Sequence, residues 1–85
     1  MSTLQFDHGY GRDLNRNSFK FYAADGARRF ACYVPYEDIA DREHLPGGTD
    51  PEPYFNLDRA HACAERSYRE HGLNKDGVLI VDYLR

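Results

Sequence analysis

Between Ser18 and Pro35 apolar and polar residues alternate in two runs, Phe19 to Ala24 and Arg28 to Val34, joined at Asp25-Gly26. An Asp-Gly pair between alternating runs is the strongest short-range signal for a β-hairpin. A two-residue turn at Asp25-Gly26 sets Phe21 opposite Phe30 and Phe19 opposite Cys32. Side chains alternate across a strand, so Phe19, Phe21, Phe30 and Cys32 are expected on one face. Lys20, Tyr22, Arg29, Ala31 and Tyr33 then occupy the other.

The rest of the chain is punctuated around this hairpin. Thr3-Leu4-Gln5-Phe6 alternates briefly and predicts a short edge strand near residues 3–6, with Leu4 and Phe6 inward. Asp7 to Asn17 is polar and Gly-rich and reads as loop, mobile from Arg12 to Asn17, with Tyr10 pinning part of it. Residues 1–17 are therefore set apart as a variable N-terminal segment, and 18–85 as a single domain. Pro35 to Leu45 predicts a short helix, since Pro suits a first turn and Glu37 and Asp38 suit the positive end of the helix dipole. Ile39 and Ala40 are its inward residues. Three prolines and two glycines between Leu45 and Pro53 require a connection.

A longer helix begins between Asp50 and Asn56, both good N-caps. Leu57, Ala60, Ala64 and Tyr68 form its inward stripe, with Cys63 on the flank. Gly72 is placed to take the left-handed position after the helix and Leu73 to make the accompanying hydrophobic contact. After a turn at Asn74 to Gly77, Val78 to Leu84 predicts the last strand. The order strand, strand, helix, helix, strand gives an α+β domain of two layers, an antiparallel or mixed sheet of three to four strands with both helices on the Phe19 face. Apolar residues on both sides of the last strand place it centrally, antiparallel beside the first hairpin strand. Val78 and Ile80 then join the face bearing Tyr22 and Tyr33.

Composition narrows the function. With 85 residues the chain is one small domain and its core is thin. The net charge of −3 gives no global field favouring nucleic acid or anionic membrane. No apolar run approaches the roughly 20 residues that span a bilayer, and the N-terminus lacks the features of a signal peptide. Cys32 and Cys63, far apart and in no CxxC pattern, are expected as thiols in a reducing cytoplasm, Cys32 buried and not linked to Cys63.

Candidate chemistry is sparse. His61, Cys63 and Glu65 lie close on the long helix, but a metal would need further ligands such as Cys32, and His61 and Cys63 fall on different flanks. An interfacial His and a small Cys account for them better. Asp7-His8 and His44 lie in or beside loops with no positioned partner. Cys63 sits mid-helix, away from what makes a thiolate reactive. Gly9-x-Gly11 follows no strand, so it is no phosphate loop, and Gly47-Gly48 reads as a connector. Arg59, Arg66 and Arg69 alternate with acids on the outer side of the helix, a solvated face. No catalytic residue, cofactor or metal is expected.

Several of these positions together carry a resemblance. Phe19-x-Phe21-x-Ala23, Asp25-Gly26, Phe30-x-Cys32-x-Val34, a short acidic helix with Ile39, then Phe55-x-x-x-Arg59, Ala64, Tyr68, Gly72 and a terminal strand with Ile80 resemble one known family. It is the small bacterial single-domain family catalogued as domain of unknown function 1488. That family often has Ser or Thr where Pro35 stands, so the first helix is expected to be capped differently. The resemblance implies a small cytoplasmic α/β domain and no reaction. Read with the residues, it makes the chain a non-enzymatic module that binds a protein of unknown identity, as a monomer or a weak homodimer. Lys20, Tyr22, Arg29 and Tyr33 form the candidate binding surface. The alternative is a single-stranded nucleic-acid binder using that open sheet face, with Tyr22 and Tyr33 as stacking platforms. It ranks behind protein because of the net charge and the apolar Val78 and Ile80.

Overall fold

A computed structural model describes residues 4–84. The hairpin is its spine: β3 (Ser18–Asp25) and β4 (Arg28–Pro35) pair antiparallel over their full length. The register differs from expectation, because Phe21 faces Cys32 and Ala23 faces Phe30. The turn is Gly26-Ala27, not Asp25-Gly26. Gly26 takes φ 63° while Ala27 stays at negative φ, the sign pattern of a type II′ turn, which wants Gly at its first central position. Asp25 remains on the strand, where its carboxylate accepts a 2.7 Å hydrogen bond from the Tyr68 hydroxyl. The slip is two residues, so neither strand changes face.

Ahead of the hairpin lie two short strands, β1 (Gln5–Phe6) and β2 (Gly11–Asp13), and both pair antiparallel with the same edge of β3. The tract from Arg12, expected as mobile loop, is thus partly strand. Behind the hairpin come α1 (Tyr36–Glu43), a 3-10 turn at Glu52–Tyr54, α2 (Leu57–His71) and β5 (Leu79–Ile80). The sheet is mixed and five-stranded, two layers deep with its helices. β5 pairs parallel with β4 at the sheet edge, Cys32 facing Leu79 and Tyr33 facing Ile80. The expected central place beside β3 is already filled by β1 and β2, which leaves the last strand only the outer edge of β4.

Phe19, Phe21, Ala23, Phe30, Cys32 and Val34 form the buried floor under the helices. Ile39 from α1 and Ala60, Cys63, Ala64 and Ser67 from α2 cover it. The stripe is rotated from the expected one: Cys63 is buried, not on the flank. Small residues at these four positions let α2 lie close on the sheet, and Leu57 and Tyr68 pack at its margins. Burial pushes the Cys32 thiol up to about 12, and both cysteines are free.

Helix ends follow local chemistry. Asn56 caps α2 by accepting the Arg59 N–H at 3.0 Å. Gly72 closes it at φ 68°, ψ −164°, a positive-φ region open essentially only to Gly, and not the left-handed helical well. Its N–H donates to the Ser67 and Tyr68 carbonyls. Pro35 precedes α1 without any side-chain cap. The C-terminal residues are tied to α2: the Ser67 hydroxyl accepts the Asp82 N–H at 3.0 Å, and the Tyr83 hydroxyl accepts the Asn56 N–H at 3.2 Å.

Candidate functional site

Because α1 and α2 both pack on one side, the alternate residues of β3 and β4 form a second face on which neither helix lies. The strands place Lys20, Tyr22, Arg29 and Tyr33 there together. Lys20 and Tyr33 are register partners, as are Tyr22 and Ala31. Lys20 Nζ lies 5.1 Å from the centre of the Tyr22 ring and 5.8 Å from that of Tyr33. The Arg29 guanidinium sits 4.2 Å over Tyr22, and its charge is met by Asp7 of the β1–β2 loop. These are cation–π contacts, in which a cation is drawn to the negative face of a ring. Tyr22, foremost, and then Tyr33 raise the Lys20 ammonium pKa, and Asp7 raises that of Arg29, so both stay charged at any physiological pH.

One member of this surface was not legible as a candidate. Arg16, in the turn before β3, lies 4.5 Å over the Tyr33 ring. Ile80, through its pairing with Tyr33, lies on the same face and is 40% exposed, whereas Tyr33 itself is only 6% exposed. Val78 is half-buried. Tyr33 is thus no open platform: Arg16 and Lys20 cover it.

A shallow cleft of about 270 Å³ opens where β1 gives way to β2, bordered by the 7–12 loop with Lys20, Phe21 and Tyr22. Four residues, 7–10, span a stretch opposite only two of β3, and Gly9 at φ 81° makes that bulge. A second depression, about 420 Å³, lies against Arg16, Asn17, Pro35, Tyr36 and Glu37.

On the helix side, Arg12 fixes β2 in a way that sequence spacing did not reveal. It donates to Asp50 at 2.6 Å and to Glu52 at 2.7 and 2.9 Å, and lies 5.3 Å over Phe19. Arg12 in turn holds the Asp50 carboxyl below its usual range. Tyr10 donates to Glu52 at 3.1 Å and meets Phe19 and Phe55 edge-on. These contacts close an aromatic cluster and point away from the open face.

The other residues weighed for chemistry are dispersed. His61 stacks on Phe6 at 4.0 Å and meets Phe21 edge-on at 5.1 Å. Burial, opposed by Asp58, lowers its pKa. Glu65 accepts the Leu4 N–H at 3.1 Å, and Cys63 lies 3.6 Å from the Arg66 guanidinium. His8 and His44 are exposed. Among the described residues no three His, Cys, Asp or Glu side chains gather where a metal ion could be held. Among them, too, no helix is long and apolar enough to cross a membrane.

No protein-family model matches the chain, and none of the curated proteins matches it. The fold has a solved counterpart. A protein of unknown function from the DUF1488 family of Shewanella loihica PV-4 superposes with a TM-score of 0.78, covering 96% of this chain and 94% of that one. At 14% identity the likeness is one of fold. It is the family whose pattern the hairpin, helix and turn residues led us to expect, and the function of that neighbour is unknown.

Proposed function

We propose that this chain is a small non-enzymatic module that binds a protein through the open face of its sheet. The supporting observation is the state of that face. Its rings are capped by the chain's own cations, and Ile80 stands exposed beside them. A base needs a free ring on which to stack, whereas a protein surface needs apolar area rimmed by charge, which Ile80, Lys20 and Arg29 supply. The net charge of −3 also opposes a polyanion. Arg29 with Asp7, and Lys20 over two rings, hold their side chains in place before a partner arrives, which lowers the ordering cost of binding.

Pull-down from the native cytoplasm, with and without nuclease, tests this reading when run with a Lys20→Glu/Arg29→Glu variant beside an Arg69→Glu control on the exposed side of α2. A nuclease-resistant partner that the face variant loses and the control keeps is the expected result. Nuclease-sensitive recovery would favour nucleic acid. Capture unaffected by the face variant would place binding elsewhere. Concentration-dependent amide shifts at Lys20, Tyr22 and Tyr33 without any partner would make the occupant a second copy of the chain.

A further inference from the structure

The cations of this molecule differ in how their charge is met. Arg12 is answered by Asp50 and Glu52, and Arg29 by Asp7. Arg16 and Lys20 have no carboxylate within ion-pair distance among the described residues, yet both are drawn to one ring, that of Tyr33. Asp13, the nearest acid in sequence to Arg16, accepts the Asn15 and Arg16 backbone N–H groups on its Oδ1 and makes no ion pair with the Arg16 guanidinium among the described residues. Each cation also borders open space, Lys20 the cleft between β1 and β2 and Arg16 the depression beside Pro35. Two cations drawn to one ring without a carboxylate partner favour an anion near that ring.

We propose that Arg16 and Lys20 together receive a carboxylate side chain from an acidic protein segment, with Ile80 taking an apolar neighbour. This rests on the open-face reading and names the partner's chemistry. Charge complementarity specifies the carboxylate. The apolar component follows from Ile80, 40% exposed beside Tyr33. A nucleic-acid phosphate would meet the same cations but leave this apolar side chain and the covered rings without a counterpart.

The test uses the 85-residue chain, a short labelled peptide alternating Glu and Leu, its Gln-for-Glu counterpart, and oligo-dT. Affinity is read by anisotropy and the contact surface by backbone amide NMR. The Glu peptide should shift the amides of Arg16, Lys20, Tyr33 and Ile80, and the Gln peptide should bind about tenfold more weakly, the combined effect of two exposed ion pairs. Arg16→Gln/Lys20→Gln should lose the same factor for the Glu peptide alone. The charge-keeping exchange Arg16→Lys/Lys20→Arg should retain most of it, which separates charge from any loss of packing on Tyr33. Equal binding of both peptides at these amides overturns the carboxylate inference and leaves the open-face reading standing. Failure of the Glu peptide to bind overturns it as well. Shifts at these amides from oligo-dT, with none from either peptide, overturn both readings.

Discussion

The two faces of the β3–β4 hairpin are built from alternate residues of the same strands, yet they are stabilised by different physics. On the helix side Phe19, Phe21 and Cys32 are all but inaccessible to water, and their contribution is non-directional and proportional to area removed from solvent. On the open side Lys20, Arg29 and Arg16 lie over Tyr22 and Tyr33, contacts that are weak in water, screened by salt and dependent on geometry. One face therefore specifies the fold. The other, apart from the buried Ala31 and Tyr33, should tolerate change at less structural cost.

The largest test of that contrast is Phe21→Ala against Tyr22→Ala. Phe21 is enclosed by Phe6, His61 and the core, so its truncation should cost roughly 3–5 kcal/mol. Tyr22 is a cross-strand residue on the open side, and its removal should cost about 1 kcal/mol or less. Denaturant midpoints measure both. Comparable losses would show that the open face is covered in solution.

A second, smaller effect sits at the boundary between the faces. Arg12→Gln removes the charge that joins β2 to Asp50 and Glu52 while keeping a long polar side chain. Loss of β2 and the Tyr10 contacts, with the hairpin intact, is the expected outcome, seen as faster amide exchange confined to residues 10–13. Uniform acceleration across the sheet would instead make this edge integral to the core. The effect should shrink in high salt, because the partners are exposed.

These edges also show what the sequence could and could not reveal. The faces of the hairpin were legible although its turn was misplaced, because a slip of two residues preserves parity. Gly72 was legible as the stop, though not its backbone conformation, and the start of α2 was narrowed only to between Asp50 and Asn56, of which Asn56 is the cap. β2 was not legible, because Arg12 answers to carboxylates some forty residues away. The edge position of β5 was hidden for the same reason: it depends on β1 and β2 occupying β3. Cys63 was misplaced because the stripe drawn through Leu57 and Tyr68 follows the larger side chains. The close approach of α2 is set instead by Ala60, Cys63, Ala64 and Ser67. Lys20, Tyr22, Arg29 and Tyr33 were readable as one face from alternation alone. Arg16 was missed because it lies in a turn.

A pH scan should separate the helix side from the open side without changing either. His61 is packed between Phe6 and Phe21, with Asp58 and Glu65 nearby on its own helix and its Nε2 buried without a hydrogen-bond partner among the described residues. Burial lowers its folded pKa, while an unfolded His titrates near ~6.5. Below that value the unfolded chain binds the extra proton, so stability should be full above it and fall as the pH drops toward the folded pKa. His61→Phe should flatten the slope in that window. The Asp50 pKa is lowered as well, by Arg12 rather than by burial, and its contribution is lost only as the pH falls through and below the ordinary carboxylate range, so the two windows do not overlap. An unchanged slope in His61→Phe would mean that the ring is hydrated in solution.

The smallest expected effect is Arg29→Gln on stability. Its partner Asp7 and Arg29 itself are both more than half exposed, and ion pairs of that kind contribute little to folding. The guanidinium does lie 4.2 Å over Tyr22, and a neutral Gln keeps neither that attraction nor the link to the β1–β2 loop. The denaturant midpoint should therefore hardly move, while amide shifts at Asp7, His8 and Tyr22 report a loosened loop. The same variant, added to the peptide titration, should weaken binding less than Arg16→Gln/Lys20→Gln, because Arg29 already has its carboxylate. A large fall in stability would show that the open face contributes to the fold. A loss of affinity equal to that of the Arg16/Lys20 variant would move the recognition point from Tyr33 to Tyr22.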